Sequence, residues 1–442
     1  MKTKDCTVKT LKRLLLPSLI STTLAVSGMV SAGPLADLYQ LALENDPQLK
    51  RAEAEFMAGQ EAPIQGRAGL LPRVTFSANT SHSENPNPRT GATGSTGYSV
   101  SLTQPIYNAA NYFTFKRSEL IADRAATLFE QVEQEIIIRS VEAYLEVLRS
   151  MSTLDNAQAQ ERALQRRLDQ VNAQFEVGLI AITDVQEAQA AYDLAVVQRI
   201  DAEGSLSNSY EALERLAGQP FNDLAYLSPD FPVVPVEPTD PQPWIEKALE
   251  GNLNIELAET QSEIERRNAQ AKRGERLPTV SLGLDHENGR SHGTGSNKWS
   301  DNSTIALSIS VPLFAGGGLS SQQRQAEHEQ IASVHQSEDA RRAVIEGTRS
   351  LVRTLQTSAQ GVKARQQSIL SRETALRATE EGFNVGTRNV VDVLQAEQNL
   401  FEARQAYENA RIDHINALFL FKQTIGTLSP DDLFALDEWL VD

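Results

Sequence analysis

Histidine titrates nearest neutral pH and is the commonest metal ligand. The chain has six: His82, His286, His292, His328, His335 and His414. Only His328 and His335 share a helix face, seven residues apart, and no third ligand accompanies them. A zinc site needs three or four ligands, so the pair reads as a solvated face. Gly316-Gly317-Gly318 lies between a strand-like and a helix-like segment, as a phosphate loop does, but lacks the Gly-Lys-Ser/Thr ending. Carboxylates abound on the helical segments at spacings that suit surface patterning rather than an acid/base pair. The single cysteine, Cys6, sits in an N-terminal leader, which leaves no disulfide or thiol chemistry. These residues point to no enzyme, no metal and no cofactor.

Two turn segments concentrate the remaining polar and glycine residues. Gly178 follows a stretch, Ser118–Phe175, that holds no glycine or proline, and both Gly178 and Gly386 suit the left-handed residue that ends a helix. Thr183-Asp184-Val185-Gln186 fits a capping box for a returning helix, and Asn389 is the candidate cap of the second.

The elements around these turns occur twice. Leu71-Pro72-Arg73-Val74 recurs as Leu277-Pro278-Thr279-Val280, 206 residues on. Pro105-Ile106-Tyr107 recurs as Pro312-Leu313-Phe314, 207 on, and Phe175–Ala188 recurs as Phe383–Ala396, 208 on. One nearly constant offset marks an internal duplication. The expected layout is a leader over 1–32, a first repeat over 33–219, a linker over 220–242, a second repeat over 243–428 and a tail over 429–442. Seven prolines between Pro220 and Pro243 make the linker an extended strap.

The leader has a basic start (Lys2, Lys4, Lys9, Lys12, Arg13), an apolar stretch from Leu14 to Val30 and a small-residue cleavage site, Val30-Ser31-Ala32. Of 442 residues, 41 are Lys or Arg and 58 are Asp or Glu, a net charge of -17. Losing the leader's five positive charges and the one negative of Asp5 takes this to about -21. That charge disfavours nucleic acid, which needs a basic stripe. Beyond the leader no run of 18 apolar residues occurs, and no cysteine stands at the cleavage site to carry a lipid anchor.

Each repeat opens with a helix, Leu35 to about Arg67 and Trp244 to about Arg273, that ends before a Leu-Pro pair. Two strands follow. Val74, Phe76 and Ala78 alternate with small polar residues, as do Tyr98, Val100 and Leu102. The second repeat matches with Val280, Leu282 and Leu284, then Ile305, Leu307, Ile309 and Val311. One apolar face and one Ser/Thr/Asn face suit a wall between lipid and water. The polar connectors, Ser83–Gly97 and Glu287–Asp301, read as outer loops. Next come helices far longer than globular ones, Ser118–Phe175 (roughly 85 Å) and Leu319 to about Phe383 (roughly 95 Å). They turn at Gly178 or Gly386 and return through Leu216 or Ile425. Ile137, Val141, Tyr144, Leu145 and Leu148 form an apolar seam on the first. Four strands cannot close a barrel, and an open edge in lipid leaves backbone groups unpaired, so several chains must share one barrel.

The segments Gln104-Pro105-Ile106-Tyr107, Val311-Pro312-Leu313-Phe314-Ala315-Gly316-Gly317, Val177–Val185, Val385–Leu394 and Ile425-Gly426-Thr427-Leu428 resemble the TolC-type outer-membrane channels over the whole mature length. The resemblance implies a membrane β-barrel plus a long α-helical barrel. Three chains would supply twelve strands and twelve helices around one passive conduit. It implies a homotrimer in outer-membrane lipid, extending into the periplasm. Its partners would be a periplasmic adaptor and an inner-membrane pump of the ABC or RND type, and its cargo drugs or secreted proteins. The turns would form the inner mouth, with Gly178 and Gly386 in the adaptor-contact loops. In such channels an arginine after the second glycine ties to a Thr-Asp pair of the first turn, and Arg388, Thr183 and Asp184 match those positions. Phe383 stands where the family has a tying tyrosine, so one tie is missing. Asp392 matches one constriction aspartate, but Gln395 replaces the second, which leaves three ring carboxylates rather than six. Arg388 to Asp184 is the expected latch and Asp392 the expected cation filter. The competing class is an exported coiled-coil scaffold such as a periplasmic adaptor, which explains the helices but not the strands.

Overall fold

The computed structural model describes residues 33–441 apart from 85–92, 223 and 293–297; the expected leader, residues 1–32, lies outside them. The first opening helix is broken rather than continuous, into α1 (Pro34–Asn45), α2 (Pro47–Gln60) and α3 (Ala62–Ala68). Asp46 makes the first break by capping α2: its side chain accepts the Leu49 amide at 3.0 Å, and Pro47 takes the first helical position. The second repeat breaks likewise, into α6 (Gln242–Gly251) and α7 (Leu253–Gly274). There Asn252, 206 residues after Asp46, is the cap.

The strands are longer than the alternation suggested. They are β1 (Arg73–Ser83), β2 (Thr93–Tyr107), β4 (Thr279–His292) and β5 (Trp299–Ser310). Residues expected in the outer connectors therefore belong to the ladder, because Ser, Thr and Asn pair their backbones as well as apolar residues do. Thr80 and Thr96 join their hydroxyls across it at 3.1 Å, and Ser81 and Ser95 at 2.8 Å. The antiparallel sheet runs β1-β2-β4-β5, so the two repeats meet at β2 and β4.

Asn108 caps the first long helix, α4 (Ala109–Glu176), which starts nine residues before the expected Ser118. Its 68 residues span about 102 Å. The chain returns as α5 (Ile182–Ala217). The second repeat supplies α8 (Gly318–Asn384), of 67 residues, and α9 (Val390–Thr424). Among the described residues no helix is long and apolar enough to cross a membrane.

The core sits where α1, α4, α5 and α9 converge. The seam of Ile137, Val141, Tyr144, Leu145 and Leu148 lies within it, beside Leu35 and Leu38. The terminal segment is not loose. Its helix α10 (Pro430–Asp437) adds Leu433 and Leu436 to that core. A two-residue strand β6 (Leu440–Val441) pairs with β3 (Tyr226–Leu227) of the proline-rich strap. Tyr144 pins the strap from below: its hydroxyl donates to the Ala225 carbonyl at 3.0 Å and accepts the Ala225 amide at 2.9 Å. Tyr144→Phe strips both groups of this partner in a dry site. The expected cost is about 1–3 kcal/mol, read as a lower denaturant midpoint at unchanged slope.

Candidate functional site

The two long hairpins end in matched turns. At the first, Gly178 adopts φ +76°, and the Leu179 amide reaches back to the Gln174 carbonyl at 2.9 Å. At the second, Gly386 adopts φ +77°, and the Thr387 amide reaches the Gly382 carbonyl at 2.8 Å. Such closures satisfy the last helical carbonyls and need a left-handed residue. Nothing crowds the place of a Cβ at either glycine, so the dihedral alone requires them. The turns leave Val177, Leu179 and Val385 at 70–73% exposed.

The return helices begin differently from each other. Asn389 caps α9 fully: its Oδ1 accepts the Asp392 amide at 2.8 Å, and Asp392 accepts the Asn389 amide at 3.4 Å. In the first repeat the capping box is not Thr183 with Gln186. The N-cap is Ala181, which has no acceptor, and only the returning half exists, from Asp184 to the Ala181 amide at 3.4 Å. The N-cap falls two residues before the sequence motif, which leaves Thr183 inside the first turn of α5 and exposed. Asp184 and Asp392 thus occupy the same helical position in the two repeats.

Arg388 meets Asp392 within its own chain, Nη1 to Oδ2 at 3.8 Å, both partly exposed. Among the described residues no ion pair joins Arg388 to Asp184 within the chain. Gln395 lies in the same surface groove as Arg372, Arg388 and Asp392. Phe383 is half-buried and packs against a tip core of Leu168, Val171, Ala188 and Val390, drawn from both hairpins.

About 15 Å from the first turn the structure adds a site that the turn motifs do not include. Arg167 of α4 is buried and donates through Nη2 to Glu397 of α9 at 2.8 Å and to Glu380 of α8 at 2.5 Å. It joins the first hairpin to both helices of the second. Burial pushes the Glu397 carboxyl above the usual glutamate range, and the Arg167 contacts offset this only in part. Both residues interrupt apolar stripes: Arg167 falls between Leu164 and Val171, and Glu397 between Val393 and Leu400. Opposite charges inside two apolar seams were the available signal. The same two helices also join antiparallel through Arg149 to Asp413 at 2.7 Å and Asn156 to the Phe401 carbonyl at 3.1 Å.

This architecture has known counterparts. The TolC outer membrane protein of Vibrio cholerae is 34% identical over 437 residues, covering 96% of this chain and 98% of that protein. The alkaline protease secretion protein AprF of Pseudomonas aeruginosa is 30% identical over 413 residues, covering 90% and 85%. The crystal structure of the CusC channel superimposes with a TM-score of 0.77 at 17% identity, over 89% of this chain and 92% of that one. These are channels rather than enzymes, and the scaffold or adaptor reading finds no support among them. The outer membrane efflux protein family model matches residues 38–219 and 244–427, so both halves of this chain belong to the outer membrane efflux protein family.

Proposed function

We propose that three copies of this outer-membrane exit duct close into one conduit, which passively carries drugs or secreted proteins through the periplasm and the outer membrane. The observation that carries the reading is the pair of open flanks. In the sheet, β1 and β5 are edge strands facing opposite ways. An unpaired edge is not tolerated in lipid, and pairing β1 of one copy with β5 of the next satisfies every edge. The helices carry the same asymmetry. Leu194 on α5 is 56% exposed and Leu370 on α8 is 55% exposed. Leu194 lies 12 residues past the start of α5 and Leu370 lies 14 before the end of α8, so both stand roughly 20 Å from the turns. Two apolar flanks at one height suit contact between neighbouring copies.

Leu313 and Phe314, 92% and 89% exposed where the sheet meets α8, suit the inner membrane boundary. The exposed apolar turns at Gly178 and Gly386 face a periplasmic adaptor, behind which an inner-membrane ABC or RND-type pump supplies the energy. In this reading Arg388 latches the mouth by meeting Thr183 and Asp184 of a neighbouring copy, since its own chain offers it Asp392. Asp392 lines the constriction, and Phe383 replaces a polar tie with tip packing.

Outer-membrane fractions should contain a heat-resistant species of three chains that conducts ions in planar bilayers. A purely monomeric, non-conducting protein overturns the reading. Arg388→Ser should raise conductance severalfold, since exposed ion pairs contribute about 1 kcal/mol or less each. Asp392→Ala should reduce the preference for cations. Unchanged conductance removes the latch, and unchanged ion preference removes the filter.

A further inference from the structure

Three carboxylates are buried among the described residues: Asp46, Glu397 and Asp437. Asp46 has Arg139 at 2.7 Å and Glu397 has Arg167 at 2.8 Å. Asp437 has no Lys, Arg or His within ion-pair distance among the described residues, although it is only 9% exposed. It points instead at the start of α1. Its Oδ1 accepts the Leu35 amide at 3.0 Å, and the Gly33 and Ala36 amides donate to it as well. A Cβ on Gly33 would stand 2.3 Å from Oδ2, so the carboxylate presses directly on the Gly33 backbone. Gly33 is also the residue that follows the leader's small-residue site, Val30-Ser31-Ala32.

We propose that Asp437 is the binding site for the α-ammonium group freed at Gly33 when the leader is cut after Ala32. Hydrolysis by a leader peptidase adds water across the Ala32–Gly33 amide. The C–N bond breaks, the hydroxyl goes to the Ala32 carbonyl, and Gly33 becomes an amine. That amine is protonated near neutral pH, since free α-amino groups titrate at about 7.7–8.0. An amide that already faces the carboxylate thereby becomes a cation at the same atom. The charge arrives at the N-cap of α1, the positive end of the helix, where it destabilises the helix unless an anion stands beside it. Asp437 lies in the last turn of α10, whose negative end in turn favours a cation. Burial holds the Asp437 carboxyl above its usual range, and the three amides bring it back only in part.

Leader removal would then complete the core and not merely release the chain. The new pair would clamp α10, with Leu433 and Leu436, onto Leu35 and Leu38 of α1. The strap would follow through β3 and β6. The precursor keeps the amide but lacks the charge, so its C-terminal clasp is weaker.

Amine acetylation of the purified mature protein at pH 7, followed by mass spectrometry, tests this. The expected result is a chain beginning at Gly33 whose α-amine reacts at least about tenfold more slowly than in Asp437→Asn, with lysines as internal standards. One alanine inserted between Ala32 and Gly33 displaces the ammonium by about 3.5 Å. It should restore fast labelling while Asp437 stays intact, so the test survives if Asp437→Asn fails to fold. A mature chain that starts elsewhere, or equal labelling in the mature protein and the insertion variant, overturns the proposal. Because the readout is a local amine, it is independent of how many copies close the conduit.

Discussion

Arg167→Ala is expected to be among the most damaging single substitutions in the helical part, lowering local stability by about 3–5 kcal/mol. The loss is not the value of the ion pair itself. Glu397 would remain buried, its side chain 7% exposed, without its ion-pair partner and with only the weaker pull of Arg166. One of its oxygens, Oε2, already lacks a hydrogen-bond partner. Hydrogen exchange should show the tips of α4 and α9 opening together, because Arg167 spans both hairpins. Replacing both Arg167 and Glu397 with methionine should recover most of the stability, since a buried pair exchanged for apolar residues is often neutral. If the single and double variants lose the same amount, the buried charge is not the cause. The pH dependence has a definite sign. Burial raises the Glu397 carboxyl, so the folded form holds this proton more tightly than the unfolded chain does. That stabilisation is fully present below the ordinary glutamate value of about 4.3 and is lost as pH rises through the folded value. The tips should therefore exchange more slowly on mild acidification, and Glu397→Gln should remove that dependence.

Gly426→Ala is expected to cost more than about 4 kcal/mol, or to prevent folding, which is the range reserved for core disruption. Gly426 adopts φ +70° immediately after α9. A Cβ there would stand 2.1 Å from the Gly251 carbonyl oxygen and 2.4 Å from its carbon. Both atoms are backbone at the end of α6, so no side chain can give way. Separating the two helix ends would also break the bond from Asn252 to the Thr424 carbonyl at 2.8 Å. It would unseat Ile425 from its cluster with Leu355 and Phe421. Gly386→Ala is the control. Its φ of +77° is nearly the same, but nothing lies within 4 Å of the Cβ position. It should show only the left-handed strain, about 1–2 kcal/mol. Equal melting temperatures for the two variants would refute the packing argument.

The repeat offset, the strand alternation and the uninterrupted length of α4 and α8 are local or periodic properties, and they were readable from residue types. Helix ends were read less well. The first opening helix breaks at Asp46 because a capping aspartate followed by Pro47 outweighs the apolar periodicity running through it. Helix α5 starts at Ile182 despite the Thr183 motif, because the turn closed at Gly178 fixes where the chain can re-enter a helix. The strands extend into the polar connectors because ladder pairing depends on the neighbouring strand and not on hydropathy.

At the two turns, Gly178, Gly386 and Asn389 were legible because each acts on backbone within a few residues of itself. Phe383 was legible as a missing hydroxyl but not as a member of the tip core, which needs residues from both hairpins. The sequence by itself determined two copies of a strand hairpin joined to long helices. Only the tertiary structure decided that Arg388 faces Asp392 in its own chain, that Arg167 joins both hairpins and that Asp437 closes on Leu35 at the start of α1. Those partners lie up to 402 residues apart. Periodicity carries information over a few helical turns, whereas which distant charge shares a buried site depends on how whole helices pack.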